Sequence, residues 1–536
     1  MNSKIVQADY KEQVIKEYQG NPLIEALPEI CSKEKVVSHL ASYPFFTEVE
    51  RELDSHFRFH VIQRVFQYFQ PLPIHLDLES RISRLVRQGY INRNPLQVEY
   101  VKSFVDGRKD IEAHEITSHT CDNSSGLTIV GTSGMGKTAT MTKILNTMPQ
   151  VIVHSHYKGQ HFVLSQIVWL KLECPYDGSI KGLCLNFLME VDRLLNTNYY
   201  KVYGKNGRLS ANSLLPVIAQ IARNTALSLL VIDEIQHLSL ARSGGAEKML
   251  NFFVTLQNAI GIPVILIGTP KSLSILQTEF RQARRSSGKQ GDVIWNQLKK
   301  EDKSWELFIN GLWKYQWVKY PTNLSGEMND VMFQESQGII DIAKKLFAMA
   351  QIRAITSGIE TISPKVIKEV AKENFKLIQP MLQALKTNNH KKILQYGDIS
   401  PISFDQFYAT EQSKLQLEQT AKWIEQEQQT NQFNIEQIKS EVIVRLTLLG
   451  IEKDEAIKAV KQYVTEADVN KNLGEVVKKV YQGLVNNVAK EQVNPEVNTD
   501  FDLRQLIKEG KEKGLTAYIA LKKANFIKQD FEWGGG

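Results

Sequence analysis

Leu127-Thr128-Ile129-Val130-Gly131-Thr132-Ser133-Gly134-Met135-Gly136-Lys137-Thr138 is the stretch on which the reading of this chain turns. An apolar run enters Gly131 to Thr138, which meets GxxxxGK[ST] at every fixed position. An amphipathic segment with Met141, Ile144, Leu145 and Met148 follows, until Pro149 stops it. Strand, glycine loop and helix in that order predict a phosphate-binding loop. The glycines let backbone N–H groups turn inward around phosphate oxygens, and the helix N-terminus adds its positive dipole end. The nucleotide-binding residues are then Gly131, Thr132, Ser133, Gly134, Met135, Gly136, Lys137, Thr138 and Ala139. Among them Lys137 reaches the β- and γ-phosphates, and the Thr138 hydroxyl ligates Mg²⁺.

Working outward, Leu229-Leu230-Val231-Ile232-Asp233-Glu234 is an apolar strand that ends in two carboxylates. Such a strand delivers Asp233 to the carboxyl edge of a sheet, where it holds the Mg²⁺ shell. Glu234 polarises the water that attacks the γ-phosphate, which favours a hydrolase over a kinase. A further strand, Val264–Ile267, ends in Gly268-Thr269-Pro270, which makes Thr269 a candidate to orient the attacking water or sense the γ-phosphate, with a plain turn as the alternative. Beyond it lie Arg281, Arg284 and Arg285. Any of the three is a candidate arginine finger in an oligomer, because a planar guanidinium matches developing phosphoryl charge. A solvated or DNA-facing basic cluster is the alternative.

The chain has 536 residues, 42% hydrophobic and 23% charged, enough for about three or four compact units and against wholesale disorder. Sixty-five Lys+Arg against 59 Asp+Glu leaves a formal charge of +6, which permits DNA contact without requiring it. Cys31, Cys121, Cys174 and Cys184 form no CxxC pair, so they read as ordinary thiols in a reducing compartment. No apolar stretch approaches the roughly 20 residues of a membrane span, and the first residues lack a signal peptide's apolar centre. The expectation is a soluble cytoplasmic protein.

Prolines cut residues 1–115 into short, mostly helical pieces, with one clear helix candidate at Leu78–Gln88. Apolar runs at Leu127–Val130, Gln166–Leu172, Leu227–Ile232 and Pro263–Ile267 alternate with helical patterns, predicting an α/β core over 116–325 with a parallel sheet covered by helices on both faces. A helical lid and connector follow over 326–400. A helical extension occupies 401–490, including a long polar stretch at Glu411–Gln437, and a linker and tail complete 491–536.

The order of phosphate loop, Asp-Glu strand, Thr-ending strand, basic helix end and helical lid resembles the AAA+ P-loop NTPases. More narrowly, the chain resembles the TnsC family, AAA+ ATPase regulators of Tn7-type (TnsA/TnsB) bacterial transposition. That likeness rests on Asn21-Pro22-Leu23-Ile24-Glu25-Ala26-Leu27-Pro28, Tyr68-Phe69-Gln70-Pro71 and Gly89-Tyr90-Ile91-Asn92-Arg93-Asn94-Pro95. It also rests on Ile235-Gln236-His237-Leu238 after the acidic pair, Arg242-Ser243-Gly244-Gly245, and Met249-Leu250-Asn251-Phe252-Phe253. It is dense over about 18–385 and thin beyond.

The resemblance implies ATP and Mg²⁺ as cofactors. It places Tyr90, Arg93 and Asn94 about the adenine, with an ordinary packing turn as the alternative. The lid from Ser336 to Arg353 would close over the nucleotide, with Lys344 or Lys345 as a phosphate sensor or a solvated helix face. It further implies homo-oligomeric rings or filaments on double-stranded target DNA, dissolved by hydrolysis. Partners would be a target-selection protein, a TnsB-type transposase and, through the C-terminal tail, a TnsA-type endonuclease subunit, with Ile527, Phe531 and Trp533 as anchors. From the residues themselves, Ser179 and Lys181, at a turn opening a helix, are the DNA-binding candidates, with a simple helix cap as the alternative. Lys158, Lys205 and Arg208 are weaker ones. Competing readings are an AAA+ helicase loader or replication initiator, and an NTPase scaffold indifferent to DNA.

Overall fold

The structure, a computed structural model, describes residues 5–113, 126–205, 209–240, 261–272, 292–387, 404–468, 472–491 and 503–523. Strand β6, Leu229–Asp233, has every residue buried, which is what a run of Leu, Val and Ile dictates when both faces of a sheet are covered. Around it lie β5 (Trp169–Glu173), β7 (Val264–Gly268), β2 (Gly126–Gly131) and β8 (Asp292–Trp295), all parallel, in the order β5-β6-β7-β2-β8.

Side chains alternate between the faces of a strand, and the two cores follow that alternation. Leu127, Ile129, Leu229, Val231, Ile265 and Ile267 join one cluster, with Met141, Ile144 and Leu145 of the helix Lys137–Leu145. Val130, Leu170, Leu172, Leu230, Ile232 and Leu266 join the other, under the helices Ile180–Leu195 and Ala211–Asn224.

A second, smaller sheet was not foreseen. β1 (Ile5–Gln7) pairs parallel with β3 (Val151–Tyr157), which pairs antiparallel with β4 (Gln160–Ile167). The apolar run Gln166–Leu172, read as one strand, is therefore two. Ile167 ends β4 and Trp169 begins β5, and between them the Val168 amide donates to Gln150 O at 2.9 Å. A continuous apolar run carries no mark of the point where the chain changes sheets.

The chain divides into two compact units, residues 1–416 and 417–536. The boundaries expected at 115, 325 and 400 fall inside the first. There the N-terminal segment is fastened to the helices after the sheet. The buried Arg58 guanidinium forms a fork with Glu360 at 2.6 and 2.7 Å, Trp317 Nε1 donates to Glu50 at 2.9 Å, and the Tyr68 hydroxyl donates to Phe308 O at 3.1 Å. A Cβ at Gly311 would strike the Tyr68 hydroxyl, so glycine is required at that crossing. The helices Gly326–Ser336, Ile340–Thr356 and Pro364–Asn374 follow the expected helical stretch.

The long polar helix is Phe404–Leu448. Its first residues, Phe404 and Phe407, belong to the core of the first unit. In the second unit, Val442 and Leu446 at its end pack with Ala456, Val460, Val476 and Val480 of the helices Lys453–Tyr463 and Leu473–Glu491. Gly450, at φ +91°, makes the turn into the first of these, in a backbone region L residues rarely adopt. A helical hairpin, Leu503–Glu512 and Ala517–Lys523, completes what is described of this unit. No helix among the described residues is long and apolar enough to cross a membrane.

Candidate functional site

Parallel strands share one carboxyl edge, and three adjacent ones bring their ends together there. β7 lies between β6 and β2, so Gly268-Thr269 emerges between the acidic pair and the glycine loop. Gly131 closes β2 opposite Trp295 of β8, and a Cβ there would run into the Trp295 carbonyl oxygen. Gly134 and Gly136 take φ +80° and +88°, the left-handed backbone that turns the loop into the helix Lys137–Leu145. Met135 is fully buried and pins the loop to the core. The Lys137 ammonium donates to Gly131 O at 2.7 Å and Thr132 O at 3.0 Å.

Asp233 is 2% exposed. Its Oδ2 accepts the Thr138 hydroxyl at 2.8 Å and lies 3.1 Å from the Lys171 ammonium, while Oδ1 accepts the Glu234 amide at 3.0 Å. Glu234 sits at φ +60°, an uncommon backbone for a residue with a side chain. Its carboxylate accepts from Gln236 Nε2, and Gln236 Oε1 accepts from the Thr269 amide at 3.3 Å. The Thr269 hydroxyl is buried without a hydrogen-bond partner, at the point where the two strand ends meet.

Gly134, Lys137, Thr138, Asp233, Glu234 and Thr269 line a cleft of about 360 Å³, whose remaining wall includes Phe66, Ile340, Asp341 and Lys344. The lid helix Ile340–Thr356 touches the loop directly, the Asp341 amide donating to Gly134 O at 3.0 Å. Sequence left Lys344 and Lys345 as alternatives. Lys345 pairs with Asp341 at 2.8 Å, whereas Lys344 lines the cleft and donates to Tyr68 O. Burial pulls the Lys344 ammonium down to about 8.

Thr138 and Asp233 offer a hydroxyl and a carboxylate oxygen side by side. That hard-oxygen pair fits Mg²⁺, which takes one or two protein oxygens and completes its shell with water and phosphate. No group of three or more His, Cys, Asp or Glu suited to a softer metal occurs among the described residues.

The placement of Tyr90, Arg93 and Asn94 about an adenine is corrected. Tyr90 is fully buried, and its hydroxyl donates to Ala226 O at 2.9 Å. Arg93 donates to Gly89 O at 2.5 Å and Leu227 O at 2.7 Å, and Asn94 to Gly20 O at 2.9 Å. Ala226 and Leu227 precede β6, so Tyr90 and Arg93 sit at the amino edge of the sheet. That is a five-residue strand, roughly 16 Å, from the loop. The packing-turn alternative is what the geometry supports. Two stretches that carried the resemblance meet there, because Asn21 Nδ2 donates to Tyr90 O at 2.8 Å.

Ser179 caps the helix Ile180–Leu195, its hydroxyl accepting the Gly182 amide at 3.1 Å, and Lys181 lies in the first turn. Lys158 occupies the tight turn between β3 and β4. Arg281, Arg284, Arg285, Arg208, Arg242–Gly245, Met249–Phe253, Ile527, Phe531 and Trp533 lie outside the described residues, as does Cys121.

Sequence reasoning passed over Lys171, Phe66 and the bridging role of Gln236. Lys171 had a signal: it is a lone cation within Trp169-Leu170-Lys171-Leu172-Glu173, on the strand beside the acidic one.

Residues 121–276 match a family model described as an AAA domain. No curated relative matches the chain. Solved structures similar to it include Cdc6p from Pyrobaculum aerophilum, 15% identical, with 80% of this chain and 89% of that one covered and a TM-score of 0.36. The ORC2 protein of Aeropyrum pernix is 12% identical, covering 60% and 87% at 0.31. Drosophila ORC bound to DNA is 12% identical, covering 83% and 88% at 0.30. Likeness at that level adds nothing to the strand order and loop geometry described above. With the glycine loop, the acidic strand and the Thr-ending strand side by side on one parallel sheet, and residues 121–276 matching an AAA domain, the chain carries the AAA+ P-loop fold.

Proposed function

We propose that this protein is an ATP-driven switch that assembles on double-stranded target DNA, links target selection to a TnsB-type transposase and a TnsA-type endonuclease subunit, and is released by hydrolysis. One observation carries the nucleotide part: Lys137, Thr138, Asp233, Glu234 and Thr269, drawn from three strand ends, line a single cleft that the lid helix also walls. The loop amides and Lys137 bind the phosphates, Lys137 exchanging its carbonyl partners for phosphate oxygens. Thr138 and Asp233 would hold Mg²⁺, which neutralises charge on the transferred phosphoryl group. Glu234 orients the attacking water, and Thr269, whose hydroxyl has no internal partner, senses the γ-phosphate. Lys344 brings a lid cation to the same cleft.

The stretches that resemble the TnsC family support the transposition part of the reading. In an oligomer one of Arg281, Arg284 and Arg285 completes a neighbour's site. The interface is then stronger with ATP than with ADP, which is the thermodynamic requirement for a switch. Ser179 and Lys181 meet DNA phosphates. Electron microscopy with duplex DNA and a slowly hydrolysed ATP analogue tests the assembly. Rings or filaments enclosing the duplex are expected with the analogue and not with ADP, and monomers under both conditions refute it. Glu234→Gln should keep ATP binding while hydrolysis falls by at least about a hundredfold. Undiminished hydrolysis removes Glu234 from its role. Binding confined to an origin sequence would favour a replication initiator instead.

A further inference from the structure

Asp233 is unusual in how fully its carboxylate is used. Oδ1 accepts the Glu234 amide at 3.0 Å, and Oδ2 takes both the Thr138 hydroxyl at 2.8 Å and the Lys171 ammonium at 3.1 Å. The pair is secluded, with the Lys171 side chain 18% exposed and that of Asp233 2%. Its geometry is fixed by the sheet. Lys171 stands opposite Val231 in register and Glu173 opposite Asp233. With side chains alternating, Lys171 and Asp233 project from the same face as diagonal neighbours. Leu170 and Leu172, buried on the opposite face, hold the strand in that register.

A buried carboxylate needs a compensating charge, and Lys171 supplies one permanently from within the fold. A divalent cation taken up by Asp233 must contend with that ammonium for the same oxygen. Two cations against one carboxylate repel. The polyphosphate of a nucleotide adds the negative charge that relieves the repulsion.

We infer that Lys171 is an internal competitor for the divalent cation at Asp233, which lowers the affinity of the protein for metal alone and makes metal uptake depend on nucleotide. The inference rests on the nucleotide site proposed above and assigns its regulation to a residue outside the loop and the acidic pair.

The test uses the full chain and Mn²⁺ as the probe, with the free ion followed by electron paramagnetic resonance. Titrations are run without nucleotide and with a non-hydrolysable ATP analogue, and fluorescent-nucleotide binding is measured separately in saturating Mg²⁺. Wild-type protein should bind Mn²⁺ weakly alone and strongly with the analogue. Lys171→Met should bind Mn²⁺ alone more tightly, by on the order of tenfold, narrowing the gap between the two titrations. Lys171→Arg, which keeps the charge, should preserve the gap. Should the methionine variant fail to fold by circular dichroism, Lys171→Gln replaces it, since its amide still donates to Asp233 without the charge. An uncharged variant whose Mn²⁺ affinity without nucleotide equals or falls below that of the wild type overturns the inference. Wild-type protein that binds no nucleotide in saturating Mg²⁺ overturns the function proposed above. The titrations with Mn²⁺ alone decide the role of Lys171 in either case.

Discussion

Lys344 offers a quantitative check on how the lid helix packs beside the cleft, because its charge is held where a lysine is costly. Its ammonium is pulled from an ordinary 10.5 to about 8 by burial, the nearby Asp341 opposing that shift and Lys143 adding to it. Between pH 8 and 10.5 the unfolded chain therefore holds more protons at this site than the folded chain, so wild-type stability rises with pH across that window. Below pH 8 the full penalty for the buried charge is present, about 3 kcal/mol at 1.36 kcal/mol per pH unit. Replacing Lys344 by Met removes that penalty and also the hydrogen bond to Tyr68 O, which is worth about 1 kcal/mol. Asp341 keeps its other partner, Lys345, at 2.8 Å.

The variant should thus be about 2 kcal/mol more stable than wild type at pH 7. It should lose that lead steadily from pH 8, and fall about 1 kcal/mol below wild type near pH 10.5. Urea unfolding at a series of pH values measures the difference, with the buried Trp305, Trp313 and Trp317 as fluorescent reporters in the adjoining core. A variant no more stable than wild type at pH 7, or a difference that does not change with pH, refutes the account of Lys344 as a buried cation facing the cleft.

Tyr90→Phe should lower stability by about 1 kcal/mol through the lost bond to Ala226 O, while nucleotide affinity in a fluorescence titration stays unchanged. A large loss of affinity would return Tyr90 to the binding site. Arg58→Ala leaves the half-buried Glu360 without its guanidinium, though the Lys319 amide still donates to it, so unfolding by urea should show a loss of about 1.5–3 kcal/mol. Gly131→Ala drives a methyl group into the Trp295 carbonyl and should cost about 1–3 kcal/mol. Nucleotide binding should weaken with it, as read by calorimetry, because the loop must shift to relieve the contact.

Legibility from sequence followed the range of the interactions. Gly131 to Thr138 was readable because a loop that turns through left-handed glycines into a helix is specified by eight consecutive residues. Asp233-Glu234 was readable because a strand buried on both faces must be apolar until it ends. Three of the five strands of the main sheet, β2, β6 and β7, were found by the same signal. β8, Asp292–Trp295, was missed because four residues give periodicity too little to work on. The split of Gln166–Leu172 between two sheets escaped because the amide partners of Ile167 and Val168, at Thr225 and Gln150, lie far from them in the chain.

By itself the sequence determined that this chain has a parallel sheet with a phosphate loop and an acidic strand, since backbone conformation and strand burial are local demands on residue type. Only the tertiary structure decided which long-range partner each polar side chain found. Tyr90 and Arg93 serve the amino edge of the sheet through carbonyls more than 130 residues away. The N-terminal segment is built into the unit that holds the lid. Lys171 joins the acidic pair because alternation on two neighbouring strands puts them on one face. A buried charge or donor must be satisfied by whatever the fold brings beside it, and that neighbour is fixed by packing rather than by spacing along the chain.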